Sequence, residues 1–158
     1  MKTIASIADS ILQEAIDCAE TAGKGDEKGL KRLLDCLLLQ AQLCNQIGHA
    51  RPEEGSEHYF AYLAENLVSG GRSHGELVGP GILIMAKLQG QDISSLKRAL
   101  NACHVPLANL SEEVIHKILT DLPRYVQTHN LPFGIAHRLS ELNKVHHLEL
   151  EDILGPLS

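Results

Sequence analysis

The stretch Asp26–Gly48, DEKGLKRLLDCLLLQAQLCNQIG, decides the fold class. Asp26 is a good N-cap, because its short side chain can accept a hydrogen bond from an amide that the first helical turn leaves without a partner. Gly48 is a good terminator, since glycine readily takes the left-handed conformation that ends many helices. This punctuation predicts one long helix running to about Ile47. Its centre, CLLLQAQLC, is apolar nearly all round, which predicts a helix at the centre of the core.

Working outward, Ile4, Ile7, Ala8, Ile11, Leu12, Ala15 and Ile16 recur at helical spacing, and Gly23-Lys24-Gly25 separates this first helix from the second. Further helices are expected over Gly55–Leu67, over Gly81–Leu88 ending at Gly90, from an Asp92 cap to Ala102, and after Ser111, where Glu112 and Glu113 suit the positive end of the helix dipole. Ser69-Gly70-Gly71 reads as a turn, and Pro123, Pro132 and Pro156 should break the tail into short pieces. No strand-like alternation, internal repeat or linker stands out. The expectation is an all-α, multi-helix single domain over residues 1–158.

A chain of 158 residues is long enough for one real core. A net charge of −6, without a basic run longer than Lys31-Arg32, argues against a nucleic-acid or anionic-membrane surface. The first residues break their apolar positions with Asp9, Gln13, Glu14 and Asp17, and no stretch approaches the roughly 20 apolar residues of a membrane span. Cys18, Cys36, Cys44 and Cys103 show no CxxC spacing, and Cys36 and Cys44 on one helix would stand about 12 Å apart. Reduced thiols and a cytoplasmic location are the plain expectation.

The chemistry concentrates in Arg51–Gly90. His58 sits early in a helix and His74 follows a glycine turn, so two imidazoles can meet where consecutive antiparallel helices join, each offering a neutral nitrogen to a divalent ion. A catalytic zinc commonly has three protein ligands, and proximity in sequence nominates Glu54 or Glu76 as the third. Tyr62, one turn after His58, is a poor ligand because a phenol ionises only near pH 10.

Three landmarks, Gly25-Asp26-Glu27, Arg51-Pro52 followed by Gly55-Ser56-Glu57-His58, and His74-Gly75-Glu76-Leu77-Val78-Gly79, resemble in order and separation the C-terminal helical domain of sn-glycerol-1-phosphate dehydrogenases. These enzymes fall in the iron-containing alcohol dehydrogenase and dehydroquinate synthase-like superfamily. The resemblance is best from about Ala8 to Leu107. It implies a fold similar to the C-terminal domain of the dehydroquinate synthase-like proteins, with one aspartate and two histidines holding Zn²⁺, Ni²⁺ or Fe²⁺. His58 and His74 match the two histidines. The ion is then a Lewis acid for a substrate oxygen while hydride moves to or from a nicotinamide.

The same resemblance places the aspartate ligand and the glycine-rich NAD(P) loop upstream of the region that matches Met1. No GxGxxG segment or βαβ pattern is present, so NAD(P) is expected only if a separate nucleotide-binding polypeptide supplies its site. Asp9 lies too close to the Gly25-Asp26-Glu27 landmark to take the aspartate's place. Two further departures are Tyr62, where a histidine is often found, and Pro80, which should start or kink the helix after His74. Arg51 is the candidate for a substrate phosphate. A homo-oligomer is expected. Two other readings are a non-catalytic interaction module with an exposed apolar patch, and a lyase similar to dehydroquinate synthase that relies on Arg51, Arg72 and Lys87. His49, His104, His116, His129, His137, His146 and His147 are scattered and read as ordinary residues.

Overall fold

A computed structural model describes residues 2–68, 72–142 and 148–156. Among them every regular element is helical: α1 (Lys2–Gly23), α2 (Glu27–Ile47), α3 (Ser56–Leu67), α4 (His74–Leu88), α5 (Ser94–Ala102), α6 (Glu112–Thr128), a 3₁₀ segment (Ile135–Glu141) and α7 (Leu150–Leu154). The all-α reading therefore stands. No helix among the described residues is long and apolar enough to cross a membrane. The Ser69-Gly70-Gly71 turn, His146 and His147 lie outside the described residues. The chain divides into two compact units, Met1–Glu54 with Ser94–His104, and Gly55–Ile93 with Val105–Ser158.

In the first unit α1 and α2 form a hairpin with α5 packed on α1. The caps are those the residues demand: Asp26 Oδ1 accepts the Gly29 amide at 2.9 Å, and Gly48, at φ +76°, closes α2 by donating its amide to the Cys44 carbonyl at 3.0 Å. An Arg32–Glu14 ion pair at 2.7 Å ties the two helices together. Only Gly29, Cys36 and Leu43 of α2 are buried, spaced as a single stripe.

The expectation that α2 lies at the centre of the core is thereby overturned. Leu30, Leu34, Leu37, Leu38 and Leu39 are all about half exposed or more, with Leu37 at 62%. An apolar sequence tells that a helix can be covered on every side, whereas a two-helix hairpin covers only one.

The central helix is α4, in the second unit. Leu77, Val78, Leu83, Ile84, Met85, Ala86 and Leu88 are buried on all its sides, with Phe60 of α3 and Ile115, Ile118, Leu119, Leu122 and Val126 of α6 completing the core. The expected start of this helix near Gly81 is wrong. It begins at His74 and runs through Pro80. Proline removes the amide that would bond the carbonyl four residues back, which belongs to Glu76. The Asn109 side chain replaces it, donating Nδ2–H to the Glu76 carbonyl at 2.6 Å. Asn109→Leu should therefore destabilise the protein by about 1–3 kcal/mol, since it leaves that carbonyl unpaired. Denaturant unfolding measures the change, and a loss no larger than that of an exposed substitution would refute this role.

Pro123 likewise stands inside α6 instead of ending it, because buried Ile115, Ile118, Leu119, Leu122 and Val126 lie on both sides and hold the helix to Thr128. Ser111 caps α6 as expected, its Oγ accepting the Val114 amide at 3.4 Å. Pro132 and Pro156 lie outside the helices, and the Pro132 carbonyl accepts the Tyr59 hydroxyl at 3.2 Å.

Candidate metal centre

The first turn of α3 is pinned from two directions. Ser56, buried, accepts the Ala136 amide on Oγ at 3.1 Å, and the Gly55 amide donates to Glu57 Oε1 at 2.6 Å. This fixes the backbone that carries His58. Helix α4 approaches α3 closely because position 81 has no side chain: a Cβ there would lie 2.8 Å from the Glu57 carbonyl oxygen. The N-terminus of α4 is held by Glu76, whose Oε2 accepts the Ser73 amide at 2.7 Å and the Ser73 hydroxyl at 3.0 Å. The Ser73 amide, with its hydroxyl, holds the Glu76 carboxyl below the usual carboxylate range. These bonds are therefore intact above that range and are lost as the pH falls through the lowered value.

Together these contacts bring His58 and His74 side by side, with ring centroids 5.4 Å apart and planes inclined at 39°. Tyr62 lies 5.5 Å from His74 at 28°, nearly parallel to it, and 6.4 Å from His58. Each histidine has a carboxylate at Nδ1: Glu57 Oε1 at 3.1 Å from His58, and Glu65 Oε1 at 2.7 Å from His74. The His58 side chain is 19% exposed and that of His74 43%, so the pair faces solvent on one side. Burial alone would raise the Glu57 carboxyl, but hydrogen bonds from His58 and from the Glu57 and Gly55 amides outweigh it and hold the group below its ordinary range.

Two imidazoles with their Nδ1 atoms engaged fit two ligand places of a divalent ion. They do not complete a site, because no group of three or more His, Cys, Asp or Glu among the described residues is disposed to hold a metal. Glu76, a nominee for third ligand, has its carboxylate engaged at the start of α4. Glu54, the other nominee, belongs to the first unit, as does Arg51, whose Nη1 donates to the Glu54 carbonyl at 3.3 Å. The sequence pattern marks neither Glu57 nor Glu65 as a partner of the histidines. Glu57 stood inside the GSEH segment, but Glu65 has no sequence signal: it meets His74 only because α3 and α4 pack together.

Three of the other described histidines make local contacts. His129 Nδ1 pairs with the Tyr125 carbonyl at 2.9 Å, His104 Nε2 with the Gly23 carbonyl at 3.2 Å, and His137 Nδ1 accepts the Gly134 amide at 3.3 Å. All four cysteines are free thiols, and burial pushes that of Cys36 up, opposite to what a nucleophile needs.

No family model matches the chain. Over 120 residues, 73% of the chain, it is 34% identical to the glycerol-1-phosphate dehydrogenase (NAD(P)+) of Saccharolobus islandicus. It is 33% identical to that of Saccharolobus solfataricus and 30% to that of Methanothrix thermoacetophila over the same length. In each case the matched part is 34% of the relative. The pair of histidines on a helical unit and these matches lead to one conclusion: the chain resembles NAD(P)-dependent glycerol-1-phosphate dehydrogenases, over a stretch equal to about a third of their length.

Proposed function

We propose that this chain supplies the metal- and substrate-binding part of a glycerol-1-phosphate dehydrogenase-like oxidoreductase, which works together with a nucleotide-binding part outside the matched stretch. The observation that carries the reading is the approach of the His58 and His74 rings to 5.4 Å, each with a carboxylate on Nδ1. In this reading the helices follow the C-terminal domain of the dehydroquinate synthase-like fold, and the protein works in the cytoplasm. His58 and His74 are two ligands of Zn²⁺, Ni²⁺ or Fe²⁺, and the third comes from outside this helical pair. When bound, the ion supplies Lewis acidity toward a substrate oxygen while the nicotinamide exchanges hydride. Arg51 takes the substrate phosphate with its planar guanidinium.

The test joins these residues to a nucleotide-binding part. The chain is fused to the upstream portion of the Saccharolobus islandicus relative and assayed with zinc, NAD(P)+ and sn-glycerol 1-phosphate. Reduction of the nicotinamide is expected with the wild-type fusion and none with His58→Ala. A fusion that binds zinc and nucleotide yet never reduces the nicotinamide contradicts the proposal.

A second reading, a helical interaction module, is favoured by the leucines of α2. Leu30, Leu34 and Leu37 follow the alternating spacing of four and three residues that suits packing against another helix. Exposed apolar patches of several hundred Å² usually mark interaction sites. On this reading the occupant is a second copy, giving the homo-oligomer. Light scattering should then report a mass above the monomer for wild type and a monomer for Leu37→Glu, since placing a charge in such a seam costs several kcal/mol. A monomeric wild type rules the second copy out.

A further inference from the structure

The carboxylate beside His74 does more than solvate it. We infer that Glu65 is a positioning residue that holds His74 as its Nδ1–H tautomer, leaving Nε2 as the lone-pair nitrogen of that ring. A neutral histidine side chain free in water favours the opposite tautomer, with the proton on Nε2, which would direct an N–H rather than a lone pair outward. An ionised carboxylate accepts and never donates, so a ring nitrogen in contact with it must carry the proton.

The geometry is specific for His74. Glu65 Oε1 stands 2.7 Å from Nδ1, the short distance of a charge-assisted bond, and fixes rotation of the ring within its plane. Tyr62, stacked at 28°, fixes the plane itself. Tyr62 and Glu65 belong to α3, the helix that also carries His58, so one helix bears the first imidazole and both restraints on the second. For His58 the carboxylate is its neighbour Glu57, held in place by the Gly55 amide at 2.6 Å. A carboxylate bonded to Nδ1–H also strengthens Nε2 as an electron-pair donor to a cation.

The metal consequence rests on the proposed function; the tautomer does not. The experiment reads the two separately. Long-range ¹H–¹⁵N correlation spectra of metal-free protein, at a pH where the imidazoles are neutral, report which nitrogen of each ring is protonated. His74 is expected as Nδ1–H in wild type and in Glu65→Gln, whose amide oxygen still accepts, and to move toward Nε2–H in Glu65→Leu. Glu65 is half exposed, so neither change threatens the fold. Calorimetric zinc titration should show affinity lowered about 10–100-fold in Glu65→Leu and largely restored in Glu65→Gln. An Nε2–H His74 in wild type, a tautomer indifferent to Glu65→Leu, or a Glu65→Gln as damaging to zinc binding as Glu65→Leu would each overturn the assignment; the last would make Glu65 a ligand. Tautomers that behave as stated in a wild type that binds no zinc would support the positioning and refute the metal reading.

Discussion

Valine in place of Gly81 is expected to destabilise the protein by about 3 kcal/mol or more and to separate the two histidines, whereas alanine should cost about 1–2 kcal/mol. A Cβ at position 81 would lie 2.8 Å from the Glu57 carbonyl oxygen, 3.3 Å from the Glu57 Cα and 3.2 Å from Phe60 Cδ1. Two of these atoms belong to the backbone of α3, and Phe60 is fully buried, so neither neighbour yields without moving the helix. Opposing this, a glycine in a helix is about 0.5–1 kcal/mol less favourable than alanine. The close contact with backbone decides the sign. Gly75 is the control, since nothing lies within 4 Å of a Cβ built there. Gly75→Ala should be neutral or stabilising by up to about 1 kcal/mol. Denaturant unfolding of both variants checks the pair, and equal effects would refute the close packing of α3 on α4.

The second large effect concerns the imidazoles themselves. His58→Ala and His74→Ala are each expected to weaken zinc binding at least about a hundred-fold, or ~2.7 kcal/mol, because one imidazole alone is a weak ligand in water. The double substitution should be little worse than either single one, since two ligands that hold one ion act as a unit. Both folds should survive: the two side chains lie at the solvent-facing edge of α3 and α4 and are not part of the apolar core. Calorimetric titration of Zn²⁺ and Ni²⁺ into metal-free protein provides the measurement. Equal affinities in wild type and both variants would remove the metal from the account.

Helix positions were legible where local chemistry writes them. Asp26 and Gly48 bracket α2 and Ser111 starts α6, each through a bond within one turn of chain. What failed was whatever depends on a partner distant in sequence. Pro80 argues locally for a later start of α4, and the compensation arrives from Asn109, 33 residues along the chain from the Glu76 carbonyl it satisfies. Pro123 argues locally for an end to α6, and burial on both sides keeps the helix intact. The apolar surface of α2 was legible; its exposure was not, because composition records what a helix can bury and topology decides what covers it.

The candidate site divides along the same line. His58 and His74 were legible through the GSEH and HGE segments, and the rings do come together. Glu65 was not, since its approach to His74 follows from the packing of one helix on the next. Glu76, nominated for its place beside His74, turned out to secure the start of α4 through Ser73. A carboxylate three residues into a helix serves the helix first.

The most direct test of the two-imidazole centre is X-ray absorption at the zinc edge of the zinc-loaded protein. Two imidazole nitrogens in the first shell of the metal, falling to one in His58→Ala and in His74→Ala, are the predicted result. A first shell with no imidazole, or one unchanged by either substitution, would contradict it.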